Sequence, residues 1–104
     1  MAVFRNEDRW DRSNVLWRDG TIVEYNKRAP RPDMAHVDYG LAVLSAQALQ
    51  RWPEGAAFDL ADVYHALSLR GALAGLEVVE RFYEIGSTRG IEETERYLSA
   101  RAAR

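Results

Sequence analysis

The segment His36-Val37-Asp38-Tyr39-Gly40-Leu41-Ala42-Val43-Leu44 constrains this chain more than any other. After a polar start it is mostly apolar, the pattern of a strand buried on both faces. Such a strand needs helices above and below it and neighbours at both edges. A chain of 104 residues is one domain by length and buries roughly 60–65% of its unfolded surface. That is little cover for a doubly buried strand, and the sheet is expected to be incomplete.

The remaining segments alternate strand and helix patterns, which argues for a layered α/β sheet. Val15 to Trp17 and Thr21 to Tyr25 are short β-branched and aromatic runs. Arg18-Asp19-Gly20 joins them as a hairpin loop in which the glycine can take a positive φ. Ala29-Pro30-Arg31-Pro32-Asp33 breaks regular structure, because neither proline can donate to a ladder. Ser45 is placed to cap a short helix carrying Ala46, Leu49 and Trp52, which Pro53 ends. A second helix is expected from Asp59, with Leu60, Val63, Tyr64 and Leu67 on one face and Gly71 as its stop. Leu73 to Val79 and Phe82 to Ile85 read as strands. Ser87 or Thr88 caps a last helix carrying Ile91, Thr94, Leu98 and Arg101 on one face.

Charge is nearly balanced at −2, with 47% hydrophobic and 29% charged residues, so the chain reads as globular rather than disordered. No basic run marks a nucleic-acid face, and no nucleic-acid partner is expected. The absence of cysteine removes disulfides, thiolate nucleophiles and thiolate metal sites together. The N-terminus lacks the apolar core of a signal peptide, and no stretch approaches the roughly 20 apolar residues of a membrane span. A cytoplasmic location with no membrane partner is the expectation.

Glu84 is the first candidate for chemistry. It ends the apolar run Arg81-Phe82-Tyr83-Glu84, before a glycine and a helix start, where open α/β sheets place their ligands. It could be one ligand of Mg²⁺, which takes one or two carboxylates plus phosphate oxygens, or a strand-end carboxylate paired with Arg81 or Arg89. Lys27 is a single lysine against thirteen arginines, placed after a strand and before the proline-rich loop. An ammonium there suits a phosphate or is simply solvated. Asp38-Tyr39-Gly40 combines a carboxylate, an aromatic wall and close backbone approach, as a sugar site would, or it is only a strand start. His36 and His65 have no partner at metal-ligand spacing, and His65 reads as structural. Asp62 and His65 form a helix-surface pair. No G-x-S-x-G elbow announces a serine hydrolase.

Asn6 to Asn14 (N-E-D-R-W-D-R-S-N), Tyr25-Asn26-Lys27, Val37-Asp38-Tyr39-Gly40-Leu41, Phe58 to Tyr64 and Arg81 to Gly86 ending in E-I-G occur in that order. This ordered set resembles the sugar-1-phosphate nucleotidyltransferases, the nucleotide-sugar pyrophosphorylase superfamily, and among them the heptose-1-phosphate guanylyltransferase-like members. The resemblance runs from about Ala2 to Leu98. It implies the C-terminal part of a glycosyltransferase-A-like, Rossmann-like layered mixed sheet, incomplete at its N-terminal side, with residues 1–104 as a single partial domain. It further implies Mg²⁺-dependent attack of a sugar 1-phosphate on the α-phosphate of a nucleoside triphosphate, with release of pyrophosphate. Lys27 resembles the family's E-K-P lysine that faces the sugar phosphate. Asn14, Asp38, Tyr39 and Gly40 are implied to bind substrate, the last three resembling the N-x-G segment. Glu84 resembles the metal-binding aspartate.

Three departures qualify what the resemblance implies. Asn26 stands where the family has the glutamate of E-K-P, and Glu84 is one methylene longer than the usual aspartate. The G-G-x-G-T-R-L nucleotide loop and the first metal-binding aspartate are not in this sequence. The expectation is therefore an acceptor-binding half that works with an N-terminal half. The alternative is a non-catalytic binding or self-assembling module, because a sheet with a bare edge invites another chain.

Overall fold

A computed structural model describes residues 1–103. The chain runs β1 (Ala2–Arg5), β2 (Val15–Arg18), β3 (Thr21–Tyr25), β4 (His36–Asp38), a 3-10 turn (Ala46–Leu49), α1 (Leu60–Leu69), β5 (Leu76–Val78) and α2 (Thr88–Ala102). The strands hydrogen-bond in the order β3-β2-β4-β1-β5, with β5 parallel to β1 and the other pairs antiparallel. The fold is thus mixed α/β with one five-stranded sheet. That sheet is curled: Thr21 bridges Ala74, and the Ile22 N–H donates to the Leu73 carbonyl at 3.0 Å. The two outermost strands are drawn together, which covers part of an edge that would otherwise be free.

The hairpin forms as the sequence predicts, and so does α1, whose first turn is capped by Asp59 accepting from the Ala61 N–H at 2.9 Å. The long strand expected over residues 36–44 does not form, and β4 stops at Asp38. The Asp38 carboxylate accepts from the Gly40 N–H at 2.8 Å and Gly40 takes a φ of +90°, an Asx turn that carries the backbone off the ladder. Leu41 and Val43, expected to be doubly buried, are 67% and 92% exposed. The helix expected after Ser45 shrinks to the 3-10 turn, in which Ser45 makes no capping bond. Leu73–Val79 is a strand only over Leu76–Val78, and Phe82–Ile85 is irregular. β1, which the pattern did not predict, lies between β4 and β5 in the sheet.

Residues opposite one another in a ladder share a face, and the register divides the sheet cleanly. Val3 faces Asp38 and Glu77, Arg5 faces His36, and Val15 faces both His36 and Tyr25. On this side Val3, Val15, Ile22, Tyr25 and Leu73 pack with Ala61, Val63, Tyr64 and Leu67 to form the core beneath α1. The opposite side carries Phe4, paired with Val37 and Val78. There Phe4 meets Trp10, Tyr39 and Phe82 at ring distances of 5.7, 6.3 and 6.0 Å.

α2 is attached differently. Of its residues only Gly90 is buried. Arg81 lies between Trp10 and Tyr83, 4.4 and 4.2 Å from the two ring centroids. Tyr83 stacks on Tyr97 of α2 at 4.1 Å, and Arg101 closes the series over Tyr97 at 5.5 Å. The radius of gyration is 15.5 Å, against about 13 Å for a compact 100-residue domain. Among the described residues no helix is long and apolar enough to cross a membrane.

Candidate functional site

Three strand ends lie side by side at one end of the sheet, with Asn14, Lys27 and Asp38 at or just beyond them, but alternation turns the Asn14 side chain to the face opposite Asp38. The Asn14 N–H donates to the His36 carbonyl of β4 at 2.9 Å, and the Asn14 carbonyl accepts from the Asn26 N–H, just past β3, at 2.8 Å. Asn14 is therefore stitched between the strand that ends at Asp38 and the strand that leads to Lys27. Its side-chain oxygen Oδ1 is buried without a hydrogen-bond partner. A buried acceptor left unpaired is costly, so this end of the sheet has unused capacity for a donor.

Asp38 points to the side where α1 packs, and its charge acts on two phenols there. Burial first, and then the negative charge of Asp38, push the Tyr25 hydroxyl up to about 12, with smaller contributions from Tyr64 and Asp59. Burial and Asp38 raise Tyr64 in the same direction. Both phenols stay neutral at physiological pH, as donors beside a carboxylate. Lys27 is exposed and lines a cavity of about 70 Å³ with Asn26, Arg28, Ala61, Asp62 and His65. Asp62 pairs there with Arg28 at 2.9 Å, not with His65.

Tyr39 and Gly40 do not join this group as one grip. Successive side chains of a strand point to opposite faces, and Tyr39 goes to the far side, against Phe4. Gly40 serves the Asx turn. Glu84 is also on the far side: it lines a second cavity with Arg9, Trp10, Arg81, Phe82, Ser87, Arg89, Gly90 and Glu93. The two cavities share no residue.

The expected pairing of the Glu84 carboxylate with Arg81 or Arg89 does not form. Arg81 and Arg89 both bind Glu93, at 2.9 and 3.0 Å, and hold its carboxyl below the usual range. Glu84 instead accepts from the Gly86 N–H at 2.6 Å and the Ser87 hydroxyl at 2.7 Å. Ser87 in turn caps α2 through the Gly90 N–H at 3.0 Å. A Cβ on residue 90 would lie 2.6 Å from the Glu84 carbonyl oxygen, so the seat requires glycine. Each carboxylate oxygen keeps a further lone pair, but a single carboxylate does not make a Mg²⁺ site. Among the described residues no group of three or more His, Cys, Asp or Glu is gathered to hold a metal ion.

Two features escaped the sequence. His36 Nε2 lies 2.6 Å from Glu77 Oε2 across β1, a pairing 41 residues apart that only the unforeseen β1 could have announced. The loop after β1 is built on Asn6, which is fully buried. Asn6 Oδ1 accepts from the Trp10 N–H at 3.2 Å, and Asn6 Nδ2 donates to the Asp11 carbonyl. The positive φ angles of Glu7 and Asp8 fold this loop back and set Trp10 against Phe82, 6.4 Å away. Compared with known protein families, curated proteins and solved structures, the chain matches none.

Proposed function

We propose that this chain is the acceptor-binding half of a nucleotidyltransferase that joins a sugar 1-phosphate to a nucleoside triphosphate and releases pyrophosphate. The observation that carries the reading is the position of Lys27 and Asp38 on the α1 side of one sheet end, Lys27 lining a cavity against α1 and Asp38 acting on Tyr25 and Tyr64. An ammonium for the phosphate and a carboxylate for sugar hydroxyls are what a sugar phosphate needs. Positioning and charge neutralisation, not a covalent nucleophile, do the chemistry in phosphoryl transfer.

In this reading the sheet is the sugar-binding part of a glycosyltransferase-A-like layer, and a separate nucleotide-binding half supplies the triphosphate site. Mg²⁺ would neutralise triphosphate charge on carboxylates of that other half, since Glu84 lies on the face of the sheet away from Lys27. The test is calorimetry of the full chain against a panel of hexose and heptose 1-phosphates. At least one should bind saturably, and Lys27→Ala should weaken it about tenfold, the loss of one charged hydrogen bond. If no member of the panel binds, the reading falls.

A second reading, a self-assembling module without catalysis, is favoured by the exposure of Leu76 in β5 (72%) and of Val79 just beyond it (90%). Apolar residues on a short outer strand invite pairing with another copy. Sedimentation at micromolar concentration separates the two, since a monomer that binds a sugar phosphate supports only the first.

A further inference from the structure

The cavity between the end of β3 and the first turns of α1 contains more anion-binding chemistry than Lys27 alone. Its volume of about 70 Å³ is several times the roughly 10–15 Å³ that one water needs, so it admits a group larger than a single water. His65 lines it and is fixed by its other nitrogen: Nδ1 lies 2.7 Å from the Tyr25 carbonyl oxygen. A carbonyl only accepts, so Nδ1 carries a proton and Nε2 is the nitrogen left free to act. The one carboxylate in the lining, Asp62, is neutralised by Arg28 at 2.9 Å. Lys27 takes part in no ion pair among the described residues.

We infer that this cavity binds the phosphoryl group of a phosphate monoester, with the Lys27 ammonium and the His65 imidazolium as joint ligands. The inference rests on the sugar-phosphate reading and deepens it, turning His65 from a structural helix residue into a phosphate contact. The oxygens of a phosphate dianion only accept, so toward the dianion His65 presents an N–H at Nε2 as well as at Nδ1. A ring that is neutral before binding then takes a proton onto Nε2 as the dianion binds, by the reciprocity of linked equilibria. The other charged or titratable groups facing the ring are Lys27 and Arg28 from beyond β3 and Asp62 from α1. Tyr25, which contributes the carbonyl, keeps its hydroxyl neutral.

The experiment is calorimetry of the full chain with inorganic phosphate and with methyl phosphate at about pH 8.5, where both are mainly dianions, in two buffers of different ionisation enthalpy. His65→Asn retains a donor where Nδ1 sits and deletes Nε2, and Lys27→Ala removes the ammonium. Each should weaken binding about tenfold or more, and the proton uptake of the unaltered chain should vanish in His65→Asn. Long-range ¹H–¹⁵N spectra of the unaltered chain, which show Nε2 gaining a proton as methyl phosphate is added, read the same event without a substitution. Equal binding by His65→Asn and the unaltered chain, or an Nε2 signal that does not move, would overturn the inference while leaving Lys27 and the sugar-phosphate reading intact. Silence toward phosphate, methyl phosphate and every sugar 1-phosphate would remove both.

Discussion

The two helices of this molecule are held by different physics. α1 has 10 residues and buries Ala61, Val63, Tyr64, Leu67 and Ser68, whereas α2 has 15 and buries only Gly90. The longer helix is the less buried. α1 is stabilised by apolar area removed from water, about 25 cal/mol per Å², through its packing on β3 and the core around it. α2 depends on a few directional contacts: arginine over ring, ring on ring, and the Glu84 seat under its first turn. An exposed cation–π pair gives about 0.5–1 kcal/mol, so α2 is expected to open locally at a free energy well below that of the sheet. The cavity lined by Lys27 and His65 is built on the α1 side, while Glu84 sits at the root of the weakly held arm.

The strongest way to break this comparison is to cut the core. Ile22 is fully buried between β2 and α1, and Ile22→Ala should cost about 2–5 kcal/mol. Hydrogen exchange should then accelerate together in β2, β3 and α1. If only a few amides near residue 22 respond, the α1 side is not one cooperative unit. Gly90→Ala comes next, at about 1–3 kcal/mol from overpacking against Glu84. Its effect should be confined to α2 amides, with the protection of Tyr64 and Leu67 unchanged. A fall in the global melting temperature equal to that of Ile22→Ala would show that the arm is integral to the core.

What could be read from the sequence follows the same line. The hairpin and α1 were legible because local signals, a glycine turn and an Asp59 cap followed by apolar residues three and four apart, agree with the packing. Residues 39–44 were misread because their apolar pattern is that of a buried strand, while the Asp38 to Gly40 Asx turn diverts them; a backbone torsion outweighed hydropathy there. The candidate site was half legible. Lys27 and Asp38 stood out as residue types, but strand alternation sends Tyr39 to the opposite face. His65 reads from sequence as a structural helix residue, and the bond of its Nδ1 to a carbonyl 40 residues away has no local signal. Such long-range pairings follow from topology, which local pattern does not encode.

The finest distinction between the two regions is the direction of pH to which each is sensitive. On the α1 side, the Tyr25 hydroxyl is pushed from an ordinary 10 up to about 12. The unfolded chain ionises first, so this contribution to stability is intact below pH 10 and is lost as pH rises from 10 to about 12. On the arm, Arg81 and Arg89 hold the Glu93 carboxyl below its ordinary 4.5. Here the unfolded chain takes up protons first, so the contribution is complete above pH 4.5 and is lost as acid protonates Glu93 in the fold. Alkali should therefore loosen the core beneath α1, and acid should release α2. Residue-resolved exchange at the two extremes reads this directly: acid should expose amides of Glu92 to Leu98 before those of Val63 to Leu67, and Glu93→Gln should abolish that ordering. If Glu93→Gln leaves the acid response of α2 unchanged, the arm is not held by the two arginines and the contrast between the helices rests on the ring contacts and the Glu84 seat.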